Sequence, residues 1–248
     1  NKNKYAIIID LMNRFIPFSD WIPPLLTFHH KFKSDDYSLD FILRLEKKVV
    51  MEWAEGLSPT ERITSLGRVI KKIEESGNPK QAVDRVLVYE KDEYAKSGVV
   101  DLCKSDEVGK FLKNKLDDQQ FYSIYGGKFA KYVLLRTDME KVELKHFPGY
   151  KEISTITVEH VLPQTPSKEG EWMKIFNEEE RKEWTNKFGN LVLLSGRKNS
   201  RAQNYDFSRK KDVYFKTKTT PFRVTQELEA ISKWDIGCLL YTSDAADE

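Results

Sequence analysis

The chain has 248 residues, of which 40% are hydrophobic and 32% charged; 41 Lys and Arg against 39 Asp and Glu give a net charge of +2. This is an ordinary globular composition, large enough for one large domain or two smaller ones. No run of eighteen apolar residues is present, which argues against a transmembrane helix, and two cysteines give no disulfide framework, so we expect a cytoplasmic protein with no membrane partner.

Residues 1–145 are predicted to be mostly helical. The helical stretches are "YAIIIDLMNRF", "DWIPPLLTFHHKF", "SLDFILRLEKKVVMEWAEGL", "SPTERITSLGRVIKKIEES", "SDEVGKFLKNKLDD" and "GGKFAKYVLLRTDMEKV". Ser58 followed three residues later by Glu61 is the signature of a helix start with a capping box. Ser105 is expected to cap the fifth helix. The pattern indicates an antiparallel helical array.

The character of the sequence changes after residue 146. "EISTITVEHV" is β-branched and alternating, which predicts a strand, and "NLVLLS" at 190–195 predicts a second one. Between them, "EWMKIFNEEERKEWTNKFG" is predicted to be a helical insertion ended by Gly189. "RKNSRAQNYDFSRKKDVYF" then predicts a helix or a helix with a turn. We therefore expect an α+β fold that is mostly helical: a helical region, 1–145, followed by a small ββα unit, 146–237.

Positive charge is concentrated in the second part of the chain. Between Arg181 and Lys218 there are eleven Lys or Arg residues against three Asp or Glu. Such a patch favours a polyanionic partner, although a solvated helix face is the commoner meaning of a charge run.

Three stretches taken in order, "VEHVLPQ", "GNLVLL" and "KNSRAQN" with "FSRKKDVYF", resemble the HNH superfamily of ββα-metal nucleases. More narrowly, they resemble the C-terminal nuclease domain of GmrSD-type modification-dependent restriction proteins. "VEHVLPQ" is also similar to the HNH domain of CRISPR effector nucleases. The resemblance covers residues 150–235. It implies a metal-dependent DNA endonuclease domain of a defence protein that acts on foreign or modified DNA.

The resemblance implies roles for four polar side chains. His160 is the expected general base, because a neutral imidazole can take a proton near pH 7. The Glu159 carboxylate and the Asn199 amide oxygen are the expected ligands of Mg²⁺, with Mn²⁺ as a substitute. Glu159 and His160 would point to opposite faces of a regular strand, and a bend before Pro163 would bring both into one site. Asn190 is expected to hold the imidazole in its productive tautomer.

Basic residues after the second strand are expected to contact DNA. Lys210 and Lys211 are both candidates to meet the scissile phosphate as a point charge, and we assign the catalytic role to Lys211. The residues expected to track the nucleic-acid backbone are Arg197, Lys198, Arg201, Arg209 and Lys210. Contacts of this kind would make DNA binding strongly salt-dependent.

Two further expectations concern segments outside this unit. The resembled restriction proteins carry an N-terminal NTPase and sensor domain with a "DGQQR"-like motif, which we do not find, so the sensor domain is an expected missing partner. "CLLYTSDAADE", residues 238–248, resembles the translation of a transposon-end sequencing adapter, and we expect it to be a non-native tail.

Two other functions remain open from the sequence. The first is a nucleic-acid-binding module that keeps the basic ββα surface but has no catalytic turnover. The second is a helical interaction scaffold in which residues 1–145 dock a partner domain.

Overall fold

The computed structural model describes the chain except for residues 1, 34–35, 89–99, 125–126, 144–146, 148, 217–218 and 240–248. The chain divides into two compact units, Asn1–Leu112 and Lys113–Glu248. In the described part, helices dominate both units, and the strands form one two-stranded sheet in the second unit. These features agree with the expected α+β class.

The first unit is built from helices, the last of which crosses into the second unit. They are α1 (Lys2–Phe15), α2 (Ile22–Phe32), α3 (Ser38–Ala54), α4 (Pro59–Glu75), α5 (Pro79–Arg85) and α6 (Ser105–Leu116). The predicted capping box is confirmed, since the Ser58 side chain accepts from the Glu61 N–H and the Glu61 carboxylate accepts from the Ser58 N–H. The predicted cap at Ser105 is wrong. The Lys104 carbonyl already accepts from the Val108 N–H, which makes Ser105 the first helical residue.

The core of the first unit lies between helix pairs. Helix α1 packs on α3, and α2 packs on α4. Phe28 of α2 stacks on Phe41 of α3 with ring centroids 4.0 Å apart. One ion pair is buried within α3, where the Lys48 ammonium lies 2.9 Å from Glu52. None of the helices in the described part of the chain has both the length and the apolar character that crossing a membrane requires.

The second unit contains the sheet and several short helices. Its elements are α7 (Phe121–Ile124), α8 (Lys128–Glu140), β1 (Ile156–His160), α9 (Trp172–Ile175), α10 (Glu178–Trp184), β2 (Leu191–Ser195), α11 (Gly196–Ala202), α12 (Phe207–Lys211) and α13 (Arg223–Gln226). Tight 3₁₀ turns span Phe188–Asn190 and Glu227–Ala230, and a wider π-helical turn, Asp212–Lys216, continues α12. Both predicted strands and the helix with a turn that follows them are confirmed.

The insertion between the two strands differs from the expectation in one detail, its end. The insertion is helical as expected and consists of two helices, because Phe176 adopts an extended backbone and Asn177 caps a new helix, α10. Gly189 does not end a helix but lies inside a 3₁₀ turn. The division between the compact units falls before α7 and α8.

The two-stranded sheet contacts α8 and α11. Beside it, an apolar cluster includes Leu162, Trp172, Leu194, Tyr214 and Trp234. Of the expected non-native tail, only Cys238 and Leu239 lie within the described residues; Leu239 is buried in this cluster. The core therefore joins the sheet to segments that follow it by up to about forty residues.

The Ser58 cap should contribute measurably to the stability of the first unit. Ser58→Ala removes the oxygen that satisfies an otherwise unpaired N–H at the start of α4, so we expect a loss of about 1 kcal/mol in the free energy of unfolding. Denaturant unfolding followed by circular dichroism measures this loss. Thr64→Ala, an exposed change inside the same helix, is the matched control and should shift the midpoint far less. Equal effects of both substitutions would contradict a capping role.

Candidate active site

Strand β1 is regular through its last residue. Glu159 pairs with Val192 of β2, and His160 pairs with Leu191, in an antiparallel register without a bulge. Successive side chains of a regular strand point to opposite faces, and the partners of these two side chains do lie on different elements. The bend expected before Pro163 therefore does not bring Glu159 and His160 side by side.

The outer edge of β1 is open. Just beyond the strand, the Val161 N–H donates to the Asn190 carbonyl at 3.0 Å. Because peptide groups alternate across an antiparallel ladder, the carbonyls of Val158 and His160 point away from β2. These two carbonyls have no hydrogen-bond partner within the sheet and need donors from other segments of the chain.

Glu159 lies in a buried ionic network. The Lys210 ammonium donates to Glu159 Oε1 at 2.8 Å and to the His160 carbonyl at 2.6 Å. The Tyr214 hydroxyl donates to the same Oε1 at 3.0 Å. Glu159 is 6% exposed and Lys210 is fully buried. Both side-chain donors reach Oε1, and a hydrogen bond from the His160 backbone N–H also favours the charged form of the carboxylate.

Burial and pairing act against each other in this network. Burial raises the pKa of Glu159 and lowers the pKa of Lys210, while the contact between the two opposes both shifts. Burial also raises the pKa of Tyr214 well above its ordinary value, so this hydroxyl stays a donor. Each charge of the Glu159–Lys210 pair is thus the main stabiliser of the other, and removing one leaves its partner buried without a counter-ion.

His160 is held on the opposite face of β1. Its Nε2 lies 3.1 Å from Asn186 Oδ1, which also accepts from the Gln164 side chain at 3.2 Å. The Tyr122 ring meets the imidazole edge to face, with centroids 4.5 Å apart. Because an amide oxygen only accepts, the imidazole donates through Nε2 and carries its lone pair on Nδ1.

The surroundings of His160 keep the imidazole neutral. It is 9% exposed, and burial, with a smaller contribution from the nearby Lys210 charge, lowers its pKa to about 4 against the weaker opposing effect of the Asn186 hydrogen bond. At neutral pH the ring is therefore unprotonated. A neutral, oriented imidazole is the form that accepts a proton from water.

Asn190 fixes the chain that follows His160. Its Oδ1 accepts from the Leu162 N–H at 2.7 Å and from the Trp234 indole N–H at 3.3 Å. Its Nδ2 donates to the Leu162 carbonyl at 2.9 Å and to the Thr185 carbonyl at 2.8 Å. These bonds use both donors and both acceptor positions of the amide. The hydrogen bond that was expected from Asn190 to the imidazole is made by Asn186 instead.

Asn199 and Lys210 satisfy the open edge of β1. Asn199 Nδ2 donates to the Val158 carbonyl at 3.2 Å, and Lys210 donates to the His160 carbonyl two residues on. The structure thus places Asn199 and the Glu159–Lys210 pair along the same strand edge. The Asn199 Oδ1 accepts no hydrogen bond from the described residues and is available to a ligand.

Lysines of the predicted DNA-binding set are bound to the protein itself. Lys198 donates to the carbonyls of Val213 and Tyr214, and burial lowers its pKa. Lys211 donates to the carbonyls of Glu229 and Ile231 at 2.7 Å each. The proposed phosphate contact of Lys211 therefore requires these bonds to be exchanged, and Lys210 has no exposed surface with which to meet DNA.

The arginines of the same set are exposed. Arg197 and Arg201 have no hydrogen bond or ion pair among the described residues, and the Arg209 guanidinium lies 3.5 Å from the centre of the Tyr205 ring. Exposed guanidinium groups are suited to bidentate contacts with phosphate. Of the six basic residues singled out from the sequence, the three arginines present their charge to solvent.

Two residues of the site carried no signal in the sequence. Asn186 orients the imidazole and Tyr122 covers it, and the Tyr122 N–H also donates to the Asn186 carbonyl at 3.0 Å. Asn186 lies in a polar stretch with no distinguishing spacing, and Tyr122 lies 38 residues before His160 in the printed sequence. Only the fold brings them together.

Comparison with known proteins identifies a family. A family described as GmrSD restriction endonucleases, C-terminal domain, matches residues 109–238, which is just over half of the 248 residues. The match includes every candidate residue of the site and both strands. No curated protein and no solved structure matches the chain.

The Glu159–Lys210 pair should behave as one unit in stability measurements. Glu159→Gln and Lys210→Met should each cost about 3–5 kcal/mol, because each leaves one buried charge without its partner. The double variant should cost clearly less than the sum of the two single variants. Denaturant unfolding of the four proteins gives the coupling energy, and additivity within about 0.5 kcal/mol would contradict the pairing.

Acid should destabilise the protein through His160. Its pKa is lower in the folded protein than in the unfolded chain, so its stabilising contribution is complete above about pH 6.5 and declines as pH falls toward 4, by about 3 kcal/mol in total. His160→Gln should flatten this part of the curve of unfolding free energy against pH. Nitrogen-detected NMR of the imidazole measures the pKa directly, and a value near 6.5 would contradict the burial argument.

Proposed function

Since the chain belongs to the GmrSD restriction endonucleases, C-terminal domain, we propose that it is a metal-dependent DNA endonuclease domain of the HNH (ββα-metal) type. Its substrate would be foreign or modified DNA, cleaved as part of a restriction system. The order β1, β2, α11 supports this assignment, because it places His160 at a strand end and Asn199 on the helix that follows. The observation that carries the proposal is geometric: His160 ends β1 with its Nε2 on Asn186, while Asn199 and the Glu159–Lys210 pair lie along the outer edge of the same strand.

His160 is the proposed general base. Asn186 Oδ1 accepts a hydrogen bond from the Nε2–H and thereby leaves the lone pair on Nδ1, while the Tyr122 ring fixes the plane of the imidazole. The Asn190 clamp on Leu162 holds the chain directly after His160. These three residues act through position: they hold the base in one tautomer and orientation, from which it takes a proton from water.

The carboxylate of Glu159 and the amide oxygen of Asn199 are of the type that a hard divalent cation prefers. Asn199 and the Lys210 partner of Glu159 both donate to carbonyls on one strand edge, and among the described residues no three His, Cys, Asp or Glu side chains gather into a metal-holding cluster. A site with so few protein ligands suits Mg²⁺, or Mn²⁺, which retain water and bind substrate phosphate. When bound, the cation would stabilise the negative charge that develops on the phosphoryl oxygens. The Lys210 ammonium beside the same carboxylate should keep the affinity low.

Lys210 is proposed as a positioning residue rather than a DNA contact. Its ammonium donates to both the Glu159 carboxylate and the His160 carbonyl, and so it fixes the position of the Glu159 side chain relative to the backbone of His160. Because it is buried and paired with Glu159, its ammonium makes no direct contact with an approaching phosphate. The exposed arginines, Arg197, Arg201 and Arg209, are the proposed contacts to the nucleic-acid backbone.

One observation favours a binding module without catalysis. Oε1 of Glu159 is already saturated by Lys210 and Tyr214, as expected of a purely structural ion pair. Under this second hypothesis the exposed arginines bind DNA and no cleavage occurs with any divalent cation.

Plasmid cleavage in Mg²⁺ or Mn²⁺ distinguishes the two functions. His160→Ala removes the proposed base, so the cleavage rate should fall about 10²–10⁴-fold while DNA affinity in the absence of metal stays unchanged. His30→Ala, an exposed histidine in α2, is the matched control and should cleave like the parent.

Equal cleavage by the parent and His160→Ala would remove His160 from the mechanism. DNA binding by the parent without cleavage in either metal would favour the binding module.

A further inference from the structure

A cleft of about 1170 Å³ opens beside the junction of β1 and α11. It is lined by residues 152–155 and 195–200, together with Thr157, Thr219 and Pro221. Asn199, which reaches the edge of β1 through its Nδ2, is part of this lining. The cleft therefore runs up to the strand edge that carries the candidate site.

The lining presents hydrogen-bond donors that have no partner among the described residues. The hydroxyl groups of Ser154, Thr155, Ser195 and Thr219 form no hydrogen bond within the described residues, and neither does the exposed Arg197 guanidinium. Donors of this kind, hydroxyls with a guanidinium, are those that contact phosphate oxygens and sugars in nucleic-acid complexes. The described lining contains no aromatic side chain on which a base could stack.

The charged side chains of the lining differ in whether they already bind other groups of the protein. The Lys198 ammonium is turned to the carbonyls of Val213 and Tyr214, so it contributes little to the surface of the cleft. This leaves Arg197 as the unengaged cation of the lining and Glu152 as its carboxylate. An anionic strand would be attracted by the first and repelled by the second, and opposite effects on binding are expected from neutralising each.

We propose that this cleft holds the sugar–phosphate backbone of one DNA strand and leads it to Asn199. The inference rests on the proposed function and adds to it a place for the strand and a mode of recognition. Contacts are made to phosphate and sugar rather than to base edges, so the cleft is indifferent to sequence. Arg197 supplies the phosphate contact, the hydroxyl groups supply neutral donors, and Glu152 limits the affinity.

The test is DNA binding by the full chain without divalent metal, as a function of salt. Arg197→Gln should weaken binding several-fold, by the same factor for oligonucleotides of unrelated sequence, and should reduce the slope of log affinity against log salt by about one. Glu152→Gln should tighten binding. Lys182→Gln removes one positive charge from α10, outside the cleft, and is the matched control for net charge.

Unchanged affinity and salt slope in Arg197→Gln, or a loss no larger than in Lys182→Gln, would overturn the proposal. A sequence-dependent loss would overturn it too, because it would indicate base contacts. Cleavage assays on the same variants separate the two inferences. If Arg197→Gln binds DNA normally and cleavage still requires His160, the proposed role of the cleft is refuted and the nuclease function is not. If Arg197→Gln weakens binding but the parent protein never cleaves DNA, the nuclease function is refuted and the role of the cleft is not.

Discussion

The buried contact between Lys210 and Glu159 is the interaction on which the second unit depends. One ammonium group satisfies both a carboxylate and a strand-edge carbonyl, and it thereby connects α12 to β1. Without the carboxylate, the ammonium would be an unpaired charge with no exposed surface; without the ammonium, burial would favour the neutral form of Glu159. The two residues are 51 positions apart in the sequence. This single contact therefore links β1, the first strand of the ββα unit, to α12, which follows α11.

The regular geometry of β1 then divides the site into two environments. Glu159 projects to the face on which Lys210 and Tyr214 lie. It is almost fully buried, and both side chains donate to its carboxylate. His160 projects to the other face, where desolvation outweighs its one hydrogen bond and the imidazole is neutral. Two adjacent residues therefore differ in charge: Glu159 is an ion-paired carboxylate and His160 is a neutral base. The Asn190 side chain fixes the backbone just beyond them through its hydrogen bonds to Leu162.

Local patterns made much of this fold predictable, and distant contacts account for what was not. The alternating residues of β1, the capping box at Ser58 and the order of strand, strand and helix all lie within short windows, where periodicity and capping rules apply. The sequence predicts Asn190 as the partner of His160 where the structure has Asn186, because both asparagines lie near the second strand and no pattern indicates which one faces the ring. The burial of Lys210 was missed for a related reason: in the sequence "SRKKD", it is indistinguishable from its solvated neighbours until the position of Glu159 is known.

The hydrogen bonds of the lysines reduce the number of cations that the basic segment can offer to DNA. An ammonium is a compact point donor, and Lys198, Lys210 and Lys211 all donate to backbone carbonyls that the short helices and the strand edge leave unpaired. A guanidinium has a planar fork that matches phosphate, and the arginines at 197, 201 and 209 remain at the surface. The positive charge counted along the sequence therefore overstates the number of phosphates that the segment can neutralise. If DNA binds here, the salt dependence of binding should reflect the exposed arginines rather than the full excess of positive charge, because only contacts made with phosphate release counterions.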